Sequence, residues 1–496
     1  MKPTTKVTLS ALLIAGLAVA LAQHGGGNGN GHGPGHGPQQ MPPTTLTVEL
    51  GRPTDRSIAL NVISPTAIDA YAEYGTAPGA YTSKSSTVTA AATVPVELEL
   101  AGLTPDTRYY YRLQHRADKG SFTATVEQSF TTARPAGITF TFGVEGDSHP
   151  ERAGKMFDAA LFQRTLEHVR DERPDFYIML GDDFSIEKQI GDGDINQPAI
   201  NRSYQLQRDY LATTSASTPI FLVNGNHEEA GGFMRDGKAD NAAVLAGHAR
   251  TQFFALPAPD NSFYTGDATP IEYVGLIRDY YAWTWGDALF VVIDPYWHSK
   301  VDVDEPPGGR HGQNEDFQRN RDLWQVSLGD EQYFWLKKTL ESSHAKYKFV
   351  FAHHVLGTGR GGIEESSLCE WGGNDPRGEN TFKQHRSTWP MPIHELFVKY
   401  GVTIFFQGHD HLFAHQQRDG VIYQETPNPA DFTYTAFNAD AYRSGDILPN
   451  AGHLRITVSP ASVRVDYIRS FLPKDENPKQ KDGMVAFSYT VPPRSK

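Results

Sequence analysis

The chain has 496 residues, 39% of them hydrophobic and 21% charged, with a formal net charge of −13. It exceeds one ordinary domain of roughly 100 to 200 residues; its apolar content is that of a globular protein, and its acidity argues against a dedicated binder of nucleic acid or anionic membrane. A single cysteine, Cys369, excludes an intrachain disulfide and any multi-thiolate zinc site, so a metal here must be held by oxygen and imidazole, and the 19 histidines are the residues to follow.

Lys2 and Lys6 precede an apolar run over residues 7–22 that ends in Ala20-Leu21-Ala22. The run is too short to span a bilayer comfortably and closes on a small-x-small cleavage pattern. It predicts a signal peptide over residues 1–22, export to a periplasm or the extracellular space, and no membrane anchor after cleavage. Residues 23–43 are dominated by glycine and proline and predict a flexible linker, on which His24, His32 and His36 would bind metal only weakly.

Over residues 44–134 apolar positions alternate: Leu46, Val48, Leu50; Ile58, Leu60, Val62; Ile68, Ala70, Ala72, Tyr74; Tyr109, Tyr111, Leu113. Alternation broken by turn residues predicts a small antiparallel β-sandwich without a titratable cluster. Residues 134–137, Arg-Pro-Ala-Gly, predict a hinge. Beyond it the period changes. Strands are predicted at 138–144, 176–180, 220–223, 347–352 and 402–406, helices at 156–169, 204–211, 331–342 and 392–400, and a hairpin at 280–294 turning at Gly286-Asp287. Alternating positions at Leu454, Ile456, Val458 and Val463, Val465, Tyr467 predict closing antiparallel strands. The pattern predicts an α/β domain over 138–496 with a largely parallel sheet.

Five of these strands run into possible metal ligands: Asp147-Ser148-His149, Gly181-Asp182-Asp183, Gly225-Asn226-His227-Glu228, His353-His354 and Gly408-His409-Asp410-His411. In an α/β sheet the carboxyl ends of strands are where ligands bind. Each motif alone also fits a turn, a cap or a buried histidine. In this order, each after an apolar strand, they resemble the calcineurin-like metallophosphoesterase superfamily over roughly residues 138 to 470. Residues 103–111, LTPDTRYYY, resemble the tyrosine-corner segment of fibronectin type III-like domains. Together the two units look most like a purple acid phosphatase-type member.

The resemblance implies a four-layer α/β/β/α sandwich behind a small all-β domain, and two metal ions. One would be held by Asp147, His149, Asp182 and His411, the other by Asp182 again, Asn226, His353 and His409. His227 would stand beside the substrate as acid or phosphate contact. Two departures stand out. Purple acid phosphatases carry a tyrosine where this chain has Ser185 and a glycine where it has His149, so an imidazole replaces the phenolate and a ferric tyrosinate is not expected. Protein-phosphatase relatives orient the histidine with an aspartate at the Ser185 position; here Asp183 or Glu228 would have to substitute.

Carboxylate, amide and imidazole ligands suit iron, zinc or manganese better than calcium, and the sequence does not choose among the three. The expected reaction is hydrolysis of a small phosphomonoester by a metal-bridging hydroxide, with Asp182 as the shared carboxylate and His227 protonating the leaving oxygen. His354 and Arg360 are candidate phosphate contacts. A phosphodiesterase or nucleotidase with the same metals is the rival enzyme, and a non-catalytic phosphate-binding protein the rival class. Tyr296, Trp297, His298, Trp371 and Trp389 could stack on an aryl or base group, though packing of loops onto the core is the preferred account. No binding of nucleic-acid duplexes is expected.

Overall fold

Strands apolar at every position need cover on both faces, and two sheets stacked face to face provide it. A computed structural model describes residues 45–228, 231–260, 262–301, 303, 322–355 and 359–494. The predicted export segment, the glycine- and histidine-rich stretch and parts of two long loops lie outside the described residues.

One sheet runs in the order Ile220–Leu222, Tyr177–Met179, Phe140–Glu145, Gly452–Val458, Val463–Arg469, Val485–Val491. Its first three strands are parallel, and the carboxyl-terminal strands join antiparallel. The second runs Thr265–Gly266, Tyr281–Trp285, Ala288–Val292, Tyr347–Phe351, Ile404–Gln407, Val421–Glu425, Phe413–Arg418, Asp446–Leu448. Four central strands of it are parallel, flanked by antiparallel ones. Both sheets are therefore mixed instead of one largely parallel sheet: the closing antiparallel strands pair with the first strand of the domain.

Between the sheets lies an aromatic layer that includes Phe142, Phe176, Phe290, Phe349, Phe351 and Phe406, with Phe142 and Phe290 edge to face at 5.1 Å. Each such buried ring contributes about 1.5–3 kcal/mol. Helices Ala159–Glu172, Gln197–Leu211 and Ala242–Phe253 cover one outer face. Gly329–Ser342 and Ile393–Tyr400 cover the other. The layers are α/β/β/α, as the resemblance implied. The first helix begins later than its apolar pattern suggested because Asp158 caps it, accepting from the Ala160 and Leu161 amides.

The amino-terminal region is all-β, with antiparallel sheets built from strands between Thr47 and Thr131. Tyr109 Oη accepts the Thr104 amide at 3.0 Å. This region is sewn onto the helical layer. Buried Arg208 donates to Asn61 Oδ1 at 2.5 Å, and Tyr111 Oη donates to the Ala216 carbonyl at 2.7 Å.

Candidate metal centre

Parallel strands that end together deliver their following residues to one place. Phe140–Glu145 leads to Asp147, Tyr177–Met179 to Asp182, and Ile220–Leu222 to Asn226 and His227. From the facing sheet, Tyr347–Phe351 leads to His353, and Ile404–Gln407 to His409 and His411. The turns are tight enough to force unusual backbone. His149, Asp182, His409 and His411 have φ of 50°, 61°, 76° and 54°, a left-handed conformation that costs a non-glycine residue roughly 1 kcal/mol or more and collects at functional sites. Two glycines make room: a Cβ on Gly225 would run into the Asp182 carboxylate, and one on Gly408 into that of Asp147.

The seven predicted ligands meet in two adjoining nests. In the first, His411 Nε2 lies 2.9 Å from Asp147 Oδ2 and 3.2 Å from His149 Nε2, and His149 Nε2 lies 3.6 Å from Asp182 Oδ2. In the second, His353 Nε2 is 3.1 Å from Asp182 Oδ2, 3.0 Å from Asn226 Oδ1 and 3.3 Å from His409 Nδ1. Asp182 belongs to both. Donor atoms around one cation at ~2.1 Å lie roughly 3 to 3.5 Å from one another, so these spacings fit metal coordination.

Protonation fits too. His353 Nδ1–H donates to the Leu180 carbonyl at 2.8 Å, and His149 Nδ1–H donates to Glu151 Oε1 at 2.9 Å. Each thereby turns a lone pair on Nε2 inward. Burial, with the Arg152 cation nearby, holds His149 well below the usual imidazole range; burial and Arg360 do the same for His409. Burial would also lower His353, yet the Asp182 and Asp147 carboxylates overcome it and raise His353 well above its ordinary value, the mark of a place that calls for positive charge. The residues therefore fit a pair of cations.

Supports lie behind the ligands. Glu228 accepts the amides of Gly225 (2.7 Å), Asp182 (3.0 Å) and Asp183 (2.8 Å), which fixes two ligand loops to each other. Asp183 takes the Ser148 hydroxyl at 2.5 Å. Asp410, between two ligand histidines, accepts from Tyr442 Oη and the Gly361 amide, both at 2.7 Å.

This arrangement corrects one expectation. Neither Asp183 nor Glu228 pairs with His227: Glu228 is committed to the loop amides, and Asp183 is turned inward to the Ser148 hydroxyl. Glu187 instead, at the start of the helix Glu187–Asp192, lies 2.5 Å from His227 Nδ1. Arg152 Nη2 stands 2.8 Å from His227 Nε2. Burial would depress His227, but the Asp182 and Glu187 carboxylates raise it to about 9. Glu151, Arg152 and Glu187 were not legible in the sequence, where the first two are marked only by standing two and three residues after His149. Ser185 turns its carbonyl to Ser203 Oγ at 3.0 Å, and His149 stands beside Asp182 instead of a phenolate.

The other predicted residues are nearby. His354 stacks on His409 at 4.6 Å and lies 3.3 Å from Tyr296 Oη. Arg360 donates to the His409 carbonyl at 2.6 Å and to Asp410 at 3.2 Å. Tyr296, Trp297, Trp371 and Trp389 are buried in the packing of the loops, and His298 leans on Asp279 at 3.3 Å.

The family model for calcineurin-like phosphoesterases matches residues 140–413, over half of the chain. No curated protein matches it. Among solved structures, a purple acid phosphatase from yellow lupin (Lupinus luteus) seeds is 16% identical with a TM-score of 0.57, covering 91% of this chain and 75% of that one. PhoD is 17% identical with a TM-score of 0.62, covering 92% of this chain and 91% of that one. At such identities the two structures speak for the fold. The family match and the ligand nests coincide in these residues, and the chain belongs to the calcineurin-like phosphoesterases, as a metal-dependent phosphoester hydrolase.

Proposed function

We propose that the enzyme hydrolyses small phosphomonoesters at a two-cation centre shared through Asp182. The observation that carries this reading is the pair His227 and Arg152, 2.8 Å apart at the edge of the ligand nests. A monoester dianion exposes more charged oxygen than a diester, and two cationic donors beside the cations match it. The cations, when bound, supply Lewis acidity for the phosphoryl oxygens and acidify the attacking water.

The protein's own groups do the rest. Asp147, His149, Asp182 and His411 hold one cation, and Asp182, Asn226, His353 and His409 the other, as iron, zinc or manganese. Arg152 leaves His227 Nε2 for the incoming phosphate; the freed nitrogen takes up a proton, which Glu187 on the opposite side of the ring favours, and donates it to the leaving oxygen. Glu151 holds the His149 ring in register.

Turnover of p-nitrophenyl phosphate against its bis ester tests the reading: the monoester should dominate, and dominance of the diester would transfer the enzyme to phosphodiesterases. With Ser185 in place of tyrosine, no visible charge-transfer band is expected. We also propose export to a periplasm or the extracellular space, supported by the lysines and apolar run ahead of Gln23; amino-terminal sequencing of protein from a cell fraction should find a mature chain starting near Gln23, and an intact leader on active cytoplasmic protein would overturn this.

A further inference from the structure

The imidazoles of the centre form a row: His227 against His149 at 5.0 Å, His149 against His411 at 4.9 Å, and His411 against Phe437 at 6.2 Å, each pair meeting edge to face. Three of the four rings are polar, and the fourth is a phenyl ring 56% exposed to solvent. A lone exposed phenylalanine needs no explanation by itself. This one adjoins a metal-ligating histidine, and the chain on both sides of it is fastened to the ligand turn. Asn438 Nδ2 donates to the Asp410 carbonyl at 3.0 Å, the Asn450 amide donates to the Thr435 carbonyl at 3.0 Å, and Asn450 Nδ2 reaches the His411 carbonyl. Ala436 packs against the cluster of Leu412, Ala414 and Tyr442. The ring is thus presented at a fixed place beside His411, and it stays open. Tyr273 and Phe334, which are also exposed, make no ring contact with the ligand residues.

We propose that Phe437 is the specificity-determining residue for the organic part of the substrate, which carries an aromatic group, an aryl ring or a nucleobase, that lies against the Phe437 ring while the phosphate rests on the metal centre. The proposal rests on the phosphoester reading of the same site. An aromatic pair gains from both area and quadrupole geometry, and a preorganised ring loses little entropy on binding.

The test is calorimetric binding of phenylphosphonate and methylphosphonate, neither of which can be hydrolysed, to protein loaded with Mn(II) and, in parallel, Zn(II). Wild type should bind the phenyl compound about tenfold more tightly, in line with aromatic stacking on a base. Phe437→Ala should bring the two affinities within about twofold of each other by weakening the phenyl compound alone, and Phe437→Trp should keep the preference. Equal affinities in wild type, or a preference that survives Phe437→Ala, would overturn the assignment while leaving the phosphoester reading intact. Failure of both phosphonates to bind loaded wild type would overturn the two together.

Discussion

The wall of the centre and its rim are built on different principles. The candidate ligands on the wall are buried apart from half-buried Asn226, several on strained left-handed backbone, and most are held by a second residue: His353 by Leu180, His149 by Glu151, and the loops carrying Asp182 and Asn226 by Glu228. The rim residues are partly exposed: Arg152 and Glu187 belong to short helices, Pro150–Arg152 and Glu187–Asp192, and Phe437 to a loop. A wall of this kind fixes the class of chemistry, because cations need several donors at once. The rim decides what is bound and when a proton moves, since single contacts there can be exchanged without dismantling the fold.

Substitutions can break this contrast in order of size. Asp182→Asn, which keeps the shape but removes the shared charge, should abolish phosphatase turnover while circular dichroism and the melting transition remain near wild type; full activity would remove Asp182 from the centre. His227→Ala should lower kcat by about 10² to 10⁴, with metal content unchanged. Arg152→Ala removes a charge-assisted contact worth about 1.5–3 kcal/mol, so kcat/KM for a monoester should fall roughly 10- to 100-fold, more through KM than kcat. Glu151→Gln should weaken metal retention by about tenfold, measured by competition with a chelator, because His149 loses its anionic partner.

The smallest effect concerns pH. His227 is raised to about 9 and works in its protonated form, so turnover should fall on the alkaline side as that proton is lost. Glu187 is one of the carboxylates that raise it. Glu187→Gln should therefore move the alkaline limb of the kcat profile to lower pH; an unmoved limb would remove Glu187 from the proton's path.

The same contrast explains what the sequence made legible. Every predicted ligand stands within a few residues of an apolar strand, so strand periodicity located the donors, and their side chains do converge. Sheet order was not legible, because Leu454 and Val463 alternate identically whether their strands form an appendage or join the first sheet. The partner of His227 was not legible either, because Asp183 and Glu228 face the Ser148 hydroxyl and backbone amides, local demands that a linear sequence does not display. Glu187 reaches the ring from a different turn. Phe437 stands in a loop without periodicity, and only its contact with His411 sets it apart.

The central claim is that two adjoining nests hold two cations and share Asp182. Metal content per chain, measured on purified wild type and Asp182→Asn protein after equilibration with Mn(II) or Zn(II) and desalting, tests it most directly. The account predicts two equivalents in wild type and a loss of retained metal in the variant; one equivalent or none in wild type, or two in the variant, would contradict it.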